Sequence, residues 1–317
     1  MKEPVAVVTG GAGFIGSTLV DRLIQEGYSV VAIDDLSSGR KGNLRSAEET
    51  DESRFTFQEQ DICSPETTTL IADFKPEVVF HLAAQADVRH SVADPVFDAE
   101  VNILGTLRVL EGARLSNARK VVVAASGGTL YGEPDPSFLP LKESLSPNPL
   151  SPYGASKAAM IYYLSVYHYL YGLDSTALAM ANVYGPRQDP HGEAGVVAIF
   201  AGLLISEEIC KIFNTGEQTR DFVYVDDVVE AFFSASQLPG LELMNIGTGV
   251  ETSVNELYQT MASLVQTTAS PKYEPSRSGE LERSALDPTH AKNKLNWVPR
   301  TSLLDGLSST IDWFREN

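Results

Sequence analysis

Tyr153 and Lys157 stand four residues apart in the stretch Ser151-Pro-Tyr-Gly-Ala-Ser-Lys157. On a helix that spacing places both side chains on one face, roughly 5–6 Å apart at Cβ. An ammonium held there favours the phenolate over the phenol, so the tyrosine can exchange a proton near neutral pH. Bringing a tyrosine from a pKa of about 10 to about 7 takes roughly 4 kcal/mol, which one unscreened cation and a second positive group can supply together. The pair alone also fits an ordinary amphipathic surface helix, so its meaning depends on what the rest of the chain builds around it.

The elements before the pair read as a nucleotide site. Val5-Ala-Val-Val-Thr9 is a short β-branched run of the kind buried in a parallel sheet. It runs directly into Gly10-Gly-Ala-Gly13-Phe14-Ile15-Gly16 and then into a helical pattern through Leu19, Leu23 and Ile24. Gly10, Gly13 and Gly16 allow a tight turn, close approach of backbone to a pyrophosphate, and close packing of helix on strand. A second strand, Tyr28 to Ile33, ends in Asp34, where a carboxylate can bind ribose hydroxyls and repel a 2′-phosphate. That favours NAD over NADP. Asp35, Leu36 and Ser37-Ser38-Gly39 follow as further contacts, and Arg40 is the one feature that points toward NADP.

The rhythm repeats. Phe55-Thr-Phe57 leads to Asp61-Ile62, Val78 to Leu82 leads to Ala83-Ala84-Gln85, and Lys120 to Ala124 leads to Ala125-Ser126, with helical stretches between, including Asp98 to Arg114. Strands alternating with helices predict an α/β fold with a doubly wound parallel sheet and ligands at the carboxyl ends of its strands. The expected division is residues 1–180 for the dinucleotide and 181–317 mainly for substrate, with the chain crossing between the two.

Composition narrows the partners. The chain has 317 residues, 43% of them hydrophobic, enough for one large or two modest domains. Its 24 basic and 42 acidic residues leave a formal charge of −18, which repels nucleic acid and anionic membranes. No stretch approaches the roughly 18–20 apolar residues of a membrane span, and no charged leader pattern precedes Pro4. Cys63 and Cys210 are far apart and lack metal-ligand spacing, so they read as reduced thiols, with no metal site and a cytoplasmic location.

Taken together, these residues resemble the extended short-chain dehydrogenase/reductase family, and within it the UDP-glucose 4-epimerase group. The matching stretches are Gly10 to Ser17, Asp34 to Gly39, His81 to Gln85 with Val88-Arg89, Asn102 with Gly105-Thr106, Ser126 to Gly132, Tyr153 to Lys157, Asn182 to Arg187 and Gln218 to Val225. The resemblance implies a tightly held NAD contacted by Phe14, Ile15, Asp34, Asp61, Ile62, Leu82, Ala83, Ala84, Gln85 and Asn102. Lys157 would hydrogen-bond the nicotinamide ribose and polarise Tyr153, with cationic NAD as the second positive group. The family usually places a catalytic Ser or Thr at the position of Gly127; Ser126 is the expected replacement and Thr129 the alternative.

For the substrate, the resemblance implies that Val196, Ile212 and Phe213 cover the uracil and ribose. Asn182 lies in the same site, Arg220 and Arg277 grip the diphosphate, and Glu280 meets the nucleoside ribose. A guanidinium fork suits phosphate oxygens. His191 is a lone loop histidine and no base. Dehydratases of the family carry Asp-Glu where this chain has Gly128-Thr129, and decarboxylases carry Glu at Thr129. The implied reaction is therefore interconversion of UDP-glucose and UDP-galactose through a 4-keto sugar, with UDP-N-acetylglucosamine or UDP-glucuronate as alternatives. A catalytically silent NAD-binding protein is the rival from another class, motivated by Gly127. Tyr162, Tyr163, Tyr167, Tyr169 and Tyr171 exceed what one core face needs; the implied use of the excess is a homodimer formed by a four-helix bundle.

Overall fold

The computed structural model describes residues 3–50, 53–191, 195–276 and 281–317. Its centre is a parallel sheet built from β1 (Val5–Thr9), β2 (Ser29–Asp34), β3 (Phe55–Glu59), β4 (Val78–His81), β5 (Lys120–Ser126) and β6 (Asp174–Met180). A seventh strand, Leu241–Ile246, pairs with β6 at one edge, and the order then runs β6, β5, β4, β1, β2, β3. This is the doubly wound α/β sheet that the alternation predicts.

Alternation along the strands fills two cores. Ala6, Val8, Val30, Ala32 and Phe80 face one side, while Val7, Val31, Ile33 and Val79 face the other. Side chains on successive residues of a strand point to opposite faces, so a run apolar at every position is buried on both. The first core extends without a break through Phe200, Leu204, Ile212, Tyr258 and Trp297 of the second half. Helix Val225–Gln237 packs on helix Phe14–Gln25 and on β5 and β6, and so returns the chain to the sheet before the seventh strand. The rest of the second half consists of helices around three small pairs. Asn182–Tyr184 lies parallel to Phe222–Tyr224, Lys211–Phe213 parallel to Lys272–Glu274, and Thr219–Arg220 antiparallel to Thr252–Ser253.

One expected element differs. The helical stretch from Asp98 to Arg114 is not a single α-helix. Pro95–Ala99 and Thr106–Leu115 are α-helical, and Glu100–Gly105 between them is a π-helix. Local contacts account for it. Asn102 reaches the backbone of Gln85, and Gly105 packs against Ile62, where an added Cβ would come within 2.8 Å of Cδ1. A π-turn inserted in an α-helix re-aims side chains and is found mostly at functional sites.

Candidate active site

The glycine loop turns between β1 and the helix that begins at Phe14. Gly10 has φ +70°, and a Cβ there would come within 2.6 Å of the Ala83 backbone nitrogen. Only glycine allows the loops after β1 and β4 to close to that distance. Gly13 caps the helix with no side-chain hydrogen bond, so its first N–H groups face outward as an anion site.

Asp34 closes the far side. Its carboxylate accepts from the Ala12 and Leu36 backbone nitrogens at 2.9 Å each, and it is 6% exposed. Burial raises its pKa, against the two backbone bonds. Asp35, Ser37 and Ser38 are exposed; Asp35 accepts from Ser37 in a local turn, and Leu36 and Gly39 are half-buried. Arg40 pairs with Asp189 at 2.9 Å, so the feature that pointed toward NADP is engaged with a loop of the second half. Asp61 is exposed and accepts from the Cys63 backbone nitrogen at 2.7 Å, and Ile62 is buried under Gly105.

Beneath the loop after β4 runs a buried chain of hydrogen bonds. The Thr106 hydroxyl donates to the Asn102 carbonyl at 2.7 Å, so it must accept from Nε2–H of His81 at 2.9 Å. Nδ1 of His81 then accepts from the Thr9 hydroxyl at 2.7 Å. His81 is 3% exposed, and burial, reinforced by the nearby Lys157 charge, pulls its pKa down to about 3. The ring is neutral, with its proton on Nε2. Asn102 is 3% exposed. Its amide hydrogens go to the Gln85 carbonyl and Asp98 Oδ1, both at 2.9 Å, and its oxygen accepts from the Gln85 nitrogen at 3.1 Å. The amide expected to touch the cofactor is therefore engaged in holding Leu82 to Gln85 in place, a supporting position.

Ser151 caps the Tyr153 helix, Pro152–Tyr171, which ends at a left-handed Gly172 as the sequence predicts. Lys157 lies 5.6 Å from the centre of the Tyr153 ring, and its Nζ donates to the Ala124 carbonyl at 2.9 Å. Burial lowers its pKa to about 8, against the pull of Asp98. Tyr153 is 9% exposed.

A cavity of about 860 Å³ lies over the ends of β5 and β6. Ser126, Thr129, Asn182 and Arg220, all expected at the sugar nucleotide, line it, together with Arg89 and Glu133. Thr129 Oγ1 is buried and has no hydrogen-bond partner among the described residues, and the Ser126 hydroxyl caps no backbone group. Val196, Ile212 and Phe213, expected at the uracil and ribose, are not among the described residues that line the cavity. Ile212 is 1% exposed in the first core and alternates with half-buried Phe213 on a strand pinned by Lys272–Glu274. Val196 opens a helix and packs on the same core. Arg277 and Glu280 lie outside the described residues. His191 is exposed, and its backbone nitrogen donates to Asp189 at 3.0 Å.

Sequence reasoning missed Asp98, which it read only as a helix start, and Leu286, which fills the space beside Gly127. For Asp98 a signal existed: two polar residues, Asp98 and Asn102, at helical i, i+4 spacing within an apolar stretch. Leu286 carried none, because it comes from 159 positions away (286 − 127).

A family model described as GDP-mannose 4,6 dehydratase matches residues 7–310. The UDP-glucose 4-epimerase of Mycolicibacterium smegmatis is 53% identical over 310 residues, covering 98% of each chain. Two solved structures superpose closely. The UDP-glucose 4-epimerase of Thermotoga maritima with UDP-glucose gives a TM-score of 0.94 at 45% identity, covering 98% of this chain and 99% of that one. The UDP-glucose 4-epimerase of Thermus thermophilus in complex with NAD gives 0.90 at 39%, again covering 98% and 99%. With a glycine loop on a doubly wound sheet and a tyrosine–lysine pair at its carboxyl edge, the chain belongs to the extended short-chain dehydrogenase/reductase family.

Proposed function

We propose that this chain is an NAD-dependent UDP-glucose 4-epimerase, an isomerase that interconverts UDP-glucose and UDP-galactose. The observation that carries the reading is the Tyr153–Lys157 pair beside a cavity walled by Ser126, Thr129 and Arg220. The volume lies within the ~300–1,000 Å³ typical of small-molecule sites. Relatives of matching fold act on UDP-glucose and hold NAD.

The residues present fit NAD. Gly10 and Gly13 leave a backbone cradle and an uncapped helix N-terminus for its pyrophosphate, and Asp34 offers a buried carboxylate for its adenosine ribose. When bound, NAD supplies the acceptor and donor of hydride at the sugar C4. Tyr153 takes the proton from the sugar 4-hydroxyl and later gives it back, with Lys157 holding the phenolate. Ser126, with Thr129 in reserve, donates to the same sugar oxygen. Arg220, with Arg277, grips the diphosphate while the 4-keto hexose turns over and accepts hydride on its other face.

Among the described residues lining the cavity, Glu133 is the only carboxylate. We read residues 1–180 as the NAD-binding unit and 181–317 as mainly the sugar-nucleotide unit. We also read the chain as a homodimer through a four-helix bundle, supported by Tyr162 and Tyr169 at 66% and 86% exposure on the Tyr153 helix. No helix among the described residues is long and apolar enough to cross a membrane. Both cysteines are free, which supports the cytoplasmic reading.

Incubation with UDP-galactose, following UDP-glucose, tests the function, with UDP-N-acetylglucosamine and UDP-glucuronate in parallel. Interconversion of the glucose pair with no net change in reduced cofactor is expected. No turnover of any UDP-hexose would instead support the silent NAD-binding protein.

A further inference from the structure

Asp98 is wholly buried, yet no partner in its hydrogen-bond set is charged. Oδ1 accepts from Asn102 Nδ2 at 2.9 Å and Gln85 Nε2 at 3.1 Å, and Oδ2 accepts from Ser156 Oγ at 2.7 Å. Those three neutral donors come from the π-helix, the loop after β4 and the Tyr153 helix. One carboxylate therefore ties the loop expected at the cofactor to the helix that carries the proton relay. Ser156 is the residue next to Lys157, and Lys157 is itself buried, 5% exposed, with a backbone carbonyl as its hydrogen-bond partner.

Two buried charges of opposite sign on adjoining elements compensate each other where neither can reach water. Asp98 raises the Lys157 pKa against a burial that lowers it to about 8. The other titratable groups facing this pair are Tyr153 on the same helix and neutral His81 on β4; Arg89 and His90 on the neighbouring helix Val88–Ala93 are exposed.

We propose that Asp98 is a positioning residue of the relay: its buried carboxylate keeps Lys157 an ammonium and, through Ser156 and Gln85, fixes the Tyr153 helix against the loop after β4. The proposal rests on the epimerase reading for its role in turnover, but the charge coupling does not depend on the substrate.

The test is Asp98→Asn, with Ser156→Ala as the variant that cuts the tether and keeps the charge. In lysine labelled with ¹³C at Cε, the Lys157 resonance is identified by its loss in Lys157→Met. Its titration midpoint in Asp98→Asn is expected about one pH unit below wild type, while Ser156→Ala leaves it in place. The alkaline limb of kcat for UDP-galactose moves by the same amount in Asp98→Asn. A folded Asp98→Asn protein with an unmoved Lys157 midpoint overturns the proposal. A moved midpoint in a protein that turns over no UDP-hexose upholds the coupling and rejects the epimerase reading. Should Asp98→Asn not fold, Asp98→Asn/Lys157→Met decides: recovery of folding supports the pairing of charges, and equal failure overturns it.

Discussion

Leu286 occupies the space that a side chain on Gly127 would need: a Cβ built there would meet Leu286 Cδ2 at 2.9 Å and Cδ1 closer still. Leu286 is fully buried, and its backbone nitrogen donates to Asp221 at 3.2 Å, so any relief must come from its side chain moving within the core. A side chain at Gly127 would therefore force Leu286 to shift. Gly127→Ser should cost about 1–3 kcal/mol by overpacking. Combined with Leu286→Ala, it should cost less than the two single changes summed, because one removes the clash the other creates. Urea melts of the four proteins measure this; strict additivity would mean that Leu286 does not exclude the side chain.

With no side chain at Gly127, the hydroxyls nearest to it in sequence along the cavity wall are those of Ser126 and Thr129. Thr129 Oγ1 is buried with no hydrogen-bond partner among the described residues, so Thr129→Val should leave stability within about 0.5 kcal/mol of wild type. Ser126→Ala should lower kcat by about 10²-fold, the scale of losing one donor to a developing oxyanion, and Thr129→Val should lower it less. Steady-state rates on UDP-galactose compare them directly. A larger loss in Thr129→Val would exchange the two roles.

Stability of the cofactor-free protein should rise with pH above neutrality. Burial pulls both Lys120 and Lys157 down to about 8, whereas the unfolded value is 10.5. Between those limits the unfolded chain binds more protons, so raising the pH favours the folded state, by up to about 1.4 kcal/mol per unit for each lysine. Below about pH 8 both states hold the protons and the slope disappears. Burial raises the pKa of Tyr131 and Tyr184 above the ordinary 10, so they oppose this only beyond pH 10. Denaturant titrations at pH 7.5 and 9.5 measure the difference, and Lys120→Met should remove about half of it. A flat profile would show that burial lowers the pKa of neither lysine.

The Tyr153 helix leaves Tyr169 at 86% and Leu170 at 58% exposure, with Leu104 of the π-helix at 49%. These are the side chains that the proposed bundle would cover. Tyr169→Glu/Leu170→Glu should convert a dimer to monomer in light scattering while Tyr153 and Lys157, several turns away on the helix, keep their geometry. A wild-type protein that is already monomeric at micromolar concentration would rule the bundle out.

Legibility followed sequence distance. The glycine loop, Asp34 at the end of β2, and Tyr153 with Lys157 are each local patterns whose spacing states their geometry, and the structure places them where that spacing implies. The parallel order of the sheet followed from the same alternation. Contacts between distant residues carry no local signature: Leu286 beside Gly127, Arg40 paired with Asp189, and the chain from Thr9 through His81 to Thr106. Ile212 and Phe213 show the converse case. In a two-sided apolar strand the period of two says that Ile212 and Phe213 face opposite ways, but not which of them faces the core.

Arg220 is the test of how the substrate is held while it turns. It follows Thr219 on a strand paired with Thr252–Ser253, and Asp221 behind it accepts from the Thr248 and Gly249 nitrogens, so the backbone beneath the guanidinium is pinned. The group therefore reaches the cavity from a rigid base, as a clamp on a diphosphate requires. Such a clamp binds ground state and transition state alike, because the diphosphate does not react; its loss should raise KM and leave kcat nearly unchanged. Arg220→Lys keeps the charge but replaces a fork with a point donor, and should weaken UDP binding about tenfold, roughly 1.4 kcal/mol. Calorimetric titration with UDP, beside kcat and KM for UDP-galactose, separates the cases. A fall in kcat at constant UDP affinity would move Arg220 from the anchor to the reacting end of the substrate, and the hexose could then not turn freely about a fixed diphosphate.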